Sequence, residues 1–176
     1  MKKNLLTQTM LGLSLMVGAI ASSAESAVAQ DRFACDTNYM TTNVQTERGS
    51  IPLIKWTNRS FPPPYTPEQR CKIVSSRFKK FDDNGTLKYI KAATVNNQPA
   101  LCVAAYAGGE CLPDGLLVTF KPGTDANHTL LRILDRRVWA ASGPVPLSSK
   151  SSPQSVISQV NGDTYVDMER FLSFGE

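Results

Sequence analysis

Four cysteines constrain the fold of this 176-residue chain more than any other feature. They are Cys35, Cys71, Cys102 and Cys111. An even number of cysteines in an exported chain of this size predicts two disulfides, for which three pairings exist. The short separation of Cys102 and Cys111 favours their pairing, which leaves Cys35 for Cys71. A zinc site is the alternative, but such sites usually contain closely spaced cysteine pairs, and this sequence has none.

The first 29 residues predict the export on which this interpretation of the cysteines depends. Two lysines precede a largely apolar stretch within residues 4–20, and small residues then lead to Ala-Val-Ala at 27–29. This is the order of a secretory signal peptide. We predict cleavage before Gln30, with a site after Ala24 as the alternative. An uncleaved anchor fits less well, because polar residues interrupt the stretch and a membrane span needs about 20 apolar residues.

The composition of residues 30–176 limits the class of protein. These 147 residues are enough for one domain with its own hydrophobic core. They carry 17 basic and 14 acidic side chains, and this net charge of +3 is too small to indicate a nucleic-acid partner. None of their apolar stretches is long enough to span a membrane.

The chain before residue 66 contains few signals of regular structure. Residues 30–50 are polar and are predicted to form a tethered lead-in without regular structure. The apolar run 51–56 predicts a short strand, and Pro52 indicates an edge position because proline cannot donate a backbone hydrogen bond. Three consecutive prolines at 62–64 predict a rigid connector after this strand.

The clearest helix in the sequence begins after Thr66. Thr66 is a suitable N-cap, Pro67 suits the first helical position, and Gln69 completes a capping box with Thr66. Asn84-Gly85 is a typical helix end. Apolar residues at helical spacing predict one buried face, formed by Cys71, Val74, Phe78 and Phe81.

The second half of the sequence predicts an antiparallel sheet and a second helix. Strand-like segments lie at 87–95, 98–106, 115–120, 156–160 and 164–167. The Asn-Gly at 161–162 is typical of a tight hairpin turn. A leucine-rich stripe predicts a helix from about 125 to 141. The predicted fold class is therefore α+β: a single small disulfide-stapled domain over residues 30–176, with two helices packed on an antiparallel sheet.

The sequence contains no recognisable catalytic arrangement. His128 is its single histidine, and helical projection places it on the outward side of the second helix. Asp82-Asp83-Asn84-Gly85 has the beginning of a calcium loop, but the twelfth position of such a loop would be Ala93 and not glutamate. We therefore predict no catalytic residue, no metal site and no cofactor.

Paired carboxylates are the basis of the competing enzyme hypothesis. Glycoside hydrolysis requires two carboxyl groups across a cleft. The candidates are Glu110, Asp114, Asp163, Asp167 and Glu169. Any soluble domain has a comparable set, so the sequence cannot decide whether two of them meet.

One exposed patch is predicted on the second helix. At 100° per residue, Arg132, Arg136 and Trp139 lie on one face, opposite the leucine stripe. Tryptophan beside arginines is suited to the interface of an anionic membrane, or to a protein partner in the cell envelope. The alternative is that Trp139 packs under the Ser- and Pro-rich segment 142–155.

A family resemblance is carried by segments at 33–35, 46–49, 51–56, 65–71, 84–87, 95–99, 102–103, 115–120 and 165–167, together with Phe78 and Cys111. The resemblance is to the circadian oscillating protein family of cyanobacteria. Its most specific parts are Asn-Asn-Gln-Pro at 96–99 with the following Cys-Val, and Arg70-Cys71. The chain departs from the family pattern at Asp36, where glycine is usual.

The resemblance implies an exported, membrane-associated but not integral protein of the periplasm or thylakoid lumen, whose abundance follows a daily rhythm. It implies no known activity. We therefore expect a non-catalytic peripheral protein that contacts an anionic membrane surface or an envelope protein. The alternatives are an envelope or sugar hydrolase that uses paired carboxylates, and an exported inhibitor or ligand-binding module that uses loop 61–67 or 108–114.

Overall fold

The first part of the structure is a three-stranded antiparallel sheet. The computed structural model describes residues 31–46, 49–133 and 156–173. The strands of this sheet are β1 (Phe33–Asp36), β2 (Thr41–Thr46) and β3 (Gly49–Lys55), in the order β1-β2-β3. Within the described residues β3 lies at the edge of the sheet, as Pro52 predicted.

The prediction of a tethered lead-in without regular structure over residues 30–50 was wrong. Two strands and the start of a third occupy this segment. Phe33 and Val44 are direct partners across β1 and β2, and both are buried. Directly opposite residues in antiparallel strands have side chains on the same face, so these two attach an otherwise polar hairpin to the core.

Helix α1 (Pro67–Asp83) confirms the prediction made from its sequence. The backbone N–H of Gln69 donates to Thr66 Oγ1 over 3.1 Å, and Asn84 is the C-cap. All four predicted apolar positions are buried. Phe78 stacks on Phe33 of β1, with 5.0 Å between the ring centroids. Aromatic stacking of this kind stabilises the packing of helix on sheet beyond the area it buries.

A five-stranded antiparallel sheet forms the second half of the structure. Its strands are β4 (Tyr89–Val95), β5 (Gln98–Ala104), β6 (Cys111–Thr119), β7 (Ile157–Val160) and β8 (Asp163–Asp167). Their order is β6-β5-β4-β8-β7. The predicted β7–β8 hairpin is confirmed, with φ of 55° at Asn161 and 87° at Gly162, as an Asn-Gly turn requires.

Two further helices follow the strands of this sheet. Residues 126–133 are helical and are called α2, and Met168–Ser173 forms α3. The helix predicted over 125–141 is therefore found in its first part, whereas 134–141 lie outside the described residues.

The fold is α+β, as predicted, but the described residues form two sheets and three helices where one sheet and two helices were expected. A continuous cluster of buried apolar side chains includes residues from both sheets and from all three helices. Leu130 of α2 is buried in it, as the leucine stripe predicted.

Two disulfides join Cys35 to Cys71 and Cys102 to Cys111, the pairing that chain proximity favoured. The Cα atoms are 5.5 and 5.6 Å apart, within the usual range for a disulfide. The first bond connects β1 to α1, and the second connects β5 to β6 across the intervening loop.

Gly115 is required by an irregularity in β6. A Cβ atom at this position would lie 2.8 Å from the carbonyl oxygen of Leu112 and 3.0 Å from that of Val103. We expect Gly115→Ala to lower the free energy of unfolding by about 2 kcal/mol, because the backbone on two strands would have to move. Urea denaturation measures this. Asp114→Gly is the control: Asp114 has φ of 57°, so glycine there should change stability by less than about 1 kcal/mol. An equal loss in both variants would contradict the explanation.

Candidate functional site

An open groove of about 1150 Å³ lies beside the three-stranded sheet. It is lined by side chains of β2 and β3, the residues that follow β3, the end of β6, and α2. The polar part of its lining is supplied mainly by threonine, serine and asparagine. The groove is neither closed nor purely apolar, so it differs from a typical buried pocket for a small apolar ligand.

Basic side chains outnumber acidic ones in this groove. Lys55, Arg70 and Arg132 line it, whereas Asp36 is the one carboxylate among its lining residues. Oδ1 of Asp36 accepts the backbone N–H groups of Asn38 at 2.9 Å and Tyr39 at 3.1 Å. The acidic group is therefore already used in a local turn, and the charge that the groove presents is positive.

Arg70 contacts two aromatic rings. Its Cζ lies 4.7 Å from the ring centroid of Trp56 and 4.0 Å from that of Phe61, which are cation–π distances. Within the part of the chain that the structure describes, no carboxylate lies within ion-pair distance of Arg70. Burial lowers the pKa of Arg70 from its ordinary value. The guanidinium is thus partly removed from water without a counter-charge.

Trp56 and helix α1, which carries Arg70, are both fixed by further contacts. Trp56 is 5% exposed, and its Nε1–H donates to Thr42 Oγ1 over 3.0 Å. Ser75 of α1 also donates to this hydroxyl oxygen, over 3.1 Å. Cys71, the neighbour of Arg70 in α1, is joined to β1 by its disulfide. The sheet, the helix and the disulfide together determine where the guanidinium lies.

A second polar cluster surrounds Lys91 on the five-stranded sheet. Lys91 lies in β4, the central strand of this sheet, and is only 4% exposed, which is unusual for a lysine. Its direct partners on the neighbouring strands are Tyr165 and Cys102, so the three side chains share one face of the sheet. The loop closed by the Cys102–Cys111 disulfide contacts this face, since Gly109 O accepts the Tyr165 hydroxyl at 3.0 Å.

The ammonium group of Lys91 is surrounded by acceptors. Its Nζ is 3.1 Å from Asp163 Oδ2, 3.4 Å from Glu110 Oε2 and 3.4 Å from Gly109 O. Burial by itself lowers the pKa of Lys91, but the contacts with Tyr165 and Asp163 outweigh this and raise it above the ordinary value. A lysine that stays protonated is not a nucleophile or a base. We interpret this cluster as the attachment of the disulfide loop to the sheet.

Two of the five candidate carboxylates meet at this cluster. Glu110 and Asp163 both contact the ammonium of Lys91, so each carboxylate is engaged in an ion pair. Asp167 instead accepts a hydrogen bond from Tyr89 and contacts Arg170. Asp114 and Glu169 are exposed and contribute no contact to the cluster. Nothing in this arrangement favours glycoside hydrolysis.

The remaining predicted positions are placed as follows. Arg132 is exposed and lines the groove, whereas Arg136 and Trp139 lie outside the described residues. His128 is exposed, and its backbone N–H donates to Asp125 Oδ1 at the start of α2. In the described ranges, no group of three or more His, Cys, Asp or Glu side chains could hold a metal ion.

The clamp formed by Trp56, Phe61 and Arg70 was missed by the sequence analysis. Helical projection places Arg70 beside the apolar face of α1, but it shows nothing of the residues outside the helix that the guanidinium contacts. The two rings come from the chain before the helix, nine and fourteen residues away. The position of Arg70 next to a disulfide cysteine was the available signal, but it did not indicate what the guanidinium contacts.

These observations define a small disulfide-bonded α+β protein with an open, basic groove. The described residues contain no helix long and apolar enough to cross a membrane. The family model for circadian oscillating protein COP23 matches residues 32–173, and the chain belongs to this family. No curated protein sequence and no solved structure matches the chain.

Proposed function

We propose that this protein is exported, has no catalytic activity, and binds peripherally to an anionic membrane surface through the basic side chains of the groove. The observation that carries the proposal is the charge of the groove: Lys55, Arg70 and Arg132 line it, and the carboxylate of Asp36 is engaged in its own turn. Basic residues near a negative bilayer contribute about 1 kcal/mol each to association.

Export is supported by the two disulfides, since such bonds persist in oxidising compartments. The destination is the periplasm or the thylakoid lumen. The absence of catalysis is supported by the ion pairs that Glu110 and Asp163 form with Lys91, since these contacts engage both carboxylates. We also propose that the abundance of the protein follows a daily rhythm.

Vesicle binding tests the membrane hypothesis. We expect the variant Lys55→Ala/Arg132→Ala to partition about 30-fold more weakly to anionic vesicles, because two contacts of about 1 kcal/mol each are lost. Co-sedimentation at about 0.1 M salt measures the partition coefficient. Raising the salt to about 0.5 M should release the wild-type protein, since exposed charges are then screened.

Lys80→Ala/Lys88→Ala is the matched control. Both lysines are exposed and lie outside the groove lining, so this variant has the same loss of net charge. Its partition should change less than about three-fold. Equal weakening in the two double variants, or equal binding of the wild type to neutral vesicles, would contradict the proposal.

A further variant in the same vesicle experiment tests the helix patch predicted from the sequence, which is formed by Arg132, Arg136 and Trp139. Arg136→Ala/Trp139→Ala should also weaken vesicle binding if this face contacts the bilayer, because an indole at headgroup depth adds to the electrostatic attraction. Cell fractionation with salt and carbonate washes, sampled through a light–dark cycle, tests the location and the rhythm. Recovery of the protein only in the soluble fraction at low salt would exclude a peripheral membrane association.

A further inference from the structure

We propose that Arg70 is an oxyanion-binding residue that binds the phosphate group of an anionic lipid headgroup in the groove. The choice of a lipid as the ligand rests on the proposed function. The binding of an oxyanion rests on the geometry of the clamp formed by Trp56, Phe61 and Arg70.

The clamp leaves the hydrogen-bonding edge of the guanidinium available. The ring centroids of Trp56 and Phe61 lie 4.7 and 4.0 Å from Cζ of Arg70, and neither ring carries an oxygen that could accept the N–H groups of the guanidinium. The five N–H donors of arginine point outward from its edge. Among the described residues, no side chain or carbonyl accepts a hydrogen bond from them.

A fixed guanidinium with an open edge is suited to an oxyanion. Arginine binds phosphate through two parallel hydrogen bonds, and these bonds are stronger when both groups are charged. Because the group is already partly desolvated and its rotation is restricted by the two rings, little further ordering is needed on binding. Asp36 is the one carboxylate among the groove-lining residues, and its Oδ1 already accepts two backbone N–H groups.

Other groove residues can complete the site. Lys55 supplies a second positive charge. The side-chain oxygen of Asn58 accepts from the backbone N–H and the hydroxyl of Ser60, at 2.8 and 2.7 Å, which leaves the Asn58 amide nitrogen as a donor. Thr57, which lies between Lys55 and Asn58 in the sequence, also lines the groove. This set offers donors and cations, as phosphate recognition requires.

The size and openness of the groove favour a headgroup over a small ion. Its volume of about 1150 Å³ far exceeds that of inorganic phosphate. An open groove admits a phosphate that remains attached to a larger molecule, whereas a free ion is usually enclosed by several donors. The exposed Arg132 on the same groove would lie near further charges of the bilayer.

Fluorescence of Trp56 can report this binding directly. The chain contains two tryptophans, so Trp139→Phe leaves Trp56 as the single emitter. We would titrate this protein with dihexanoylphosphatidylglycerol below its micellar concentration, with dihexanoylphosphatidylcholine, and with inorganic phosphate. We expect saturable binding of the phosphatidylglycerol, and at least ten-fold weaker binding of the other two. Isothermal calorimetry provides a second measurement of the same constants.

Substitutions of Arg70 separate recognition from folding. Arg70→Gln should weaken binding of the phosphatidylglycerol at least ten-fold. Arg70→Lys keeps the charge but lacks the planar fork, so it should also bind more weakly. Lys88→Gln should bind as the parent does. Near-UV circular dichroism verifies that each variant is folded. Unchanged binding in Arg70→Gln, or in a folded Arg70→Lys, would overturn the inference.

The outcomes also distinguish this inference from the proposed function. Vesicle binding without any binding of the short-chain lipid would overturn the role of Arg70 and leave peripheral association intact. Binding of the short-chain lipid without vesicle binding would support Arg70 and contradict the membrane proposal. Inorganic phosphate or phosphatidylcholine that binds as tightly as phosphatidylglycerol would overturn the choice of an anionic headgroup.

Discussion

Replacement of both Cys35 and Cys71 by alanine is expected to lower the free energy of unfolding by about 4 kcal/mol. The bond joins residues 36 positions apart, and a cross-link of this length removes much of the freedom of the unfolded chain. Denaturation by guanidinium chloride under oxidising conditions measures the difference between this variant and the parent.

The second disulfide supplies the matched comparison for this prediction. Cys102 and Cys111 are nine positions apart, so their replacement by alanine should cost about 3 kcal/mol. The Cys35–Cys71 variant is also expected to bind the lipid headgroup more weakly, because Cys71 fixes the turn of α1 that carries Arg70. A larger loss in the Cys102–Cys111 variant would contradict the explanation from loop length.

Removal of Asp163 is expected to be about as damaging as loss of the Cys102–Cys111 bond, because it leaves the buried ammonium of Lys91 with too few partners. Asp163→Ala should lower the free energy of unfolding by about 3 kcal/mol. This is the low end for a buried ion pair, because Asp163 is itself 42% exposed and Glu110 remains near Lys91. Urea denaturation at neutral pH measures the loss.

Lys91→Met tests whether the loss comes from an uncompensated charge. Methionine fills a similar volume without a charge, and Tyr165 can still donate to Gly109 O. We therefore expect a change below about 1 kcal/mol, much smaller than that of Asp163→Ala. The double variant Lys91→Met/Asp163→Ala should recover most of the stability lost in Asp163→Ala. Additive losses would show that the two side chains act independently.

The wild type and Lys91→Met should differ in how their stability responds to alkaline pH. The pKa of Lys91 is higher in the folded than in the unfolded protein, so its charged contacts contribute fully below the unfolded value of about 10.4. This contribution is lost as the pH rises from there towards the folded value. The wild type should therefore lose stability relative to Lys91→Met above about pH 10.4. Parallel stability curves for the two proteins between about pH 9 and 12 would contradict the role of Lys91.

Local sequence signals predicted the elements that form from their own residues. Thr66 and Pro67 indicated the beginning of α1, and Asn161-Gly162 indicated the β7–β8 turn. These signals are reliable because a cap or a tight turn is decided by backbone geometry over three or four residues. The disulfide pairing was favoured for a related reason, since the shortest loop costs least to close.

The strands within residues 30–50 were missed because their stability comes from distant parts of the chain. Phe33 and Val44 are isolated apolar residues in a polar segment, without the alternation that predicts a strand. They become core residues only when Phe33 meets Phe78 of α1 and the Cys35–Cys71 bond joins strand to helix.

The sequence by itself determined the number of disulfides, the α+β class, the caps and turns, and the family, and it favoured one disulfide pairing. Each of these depends on the chemistry of neighbouring residues or on a recognisable order of segments. Tertiary structure alone decided the charge of the groove, the clamp on Arg70 and the burial of Lys91. An arginine or a lysine is an ordinary surface charge in sequence. Its desolvation and its partners are determined by side chains that folding brings from other strands, helices and loops.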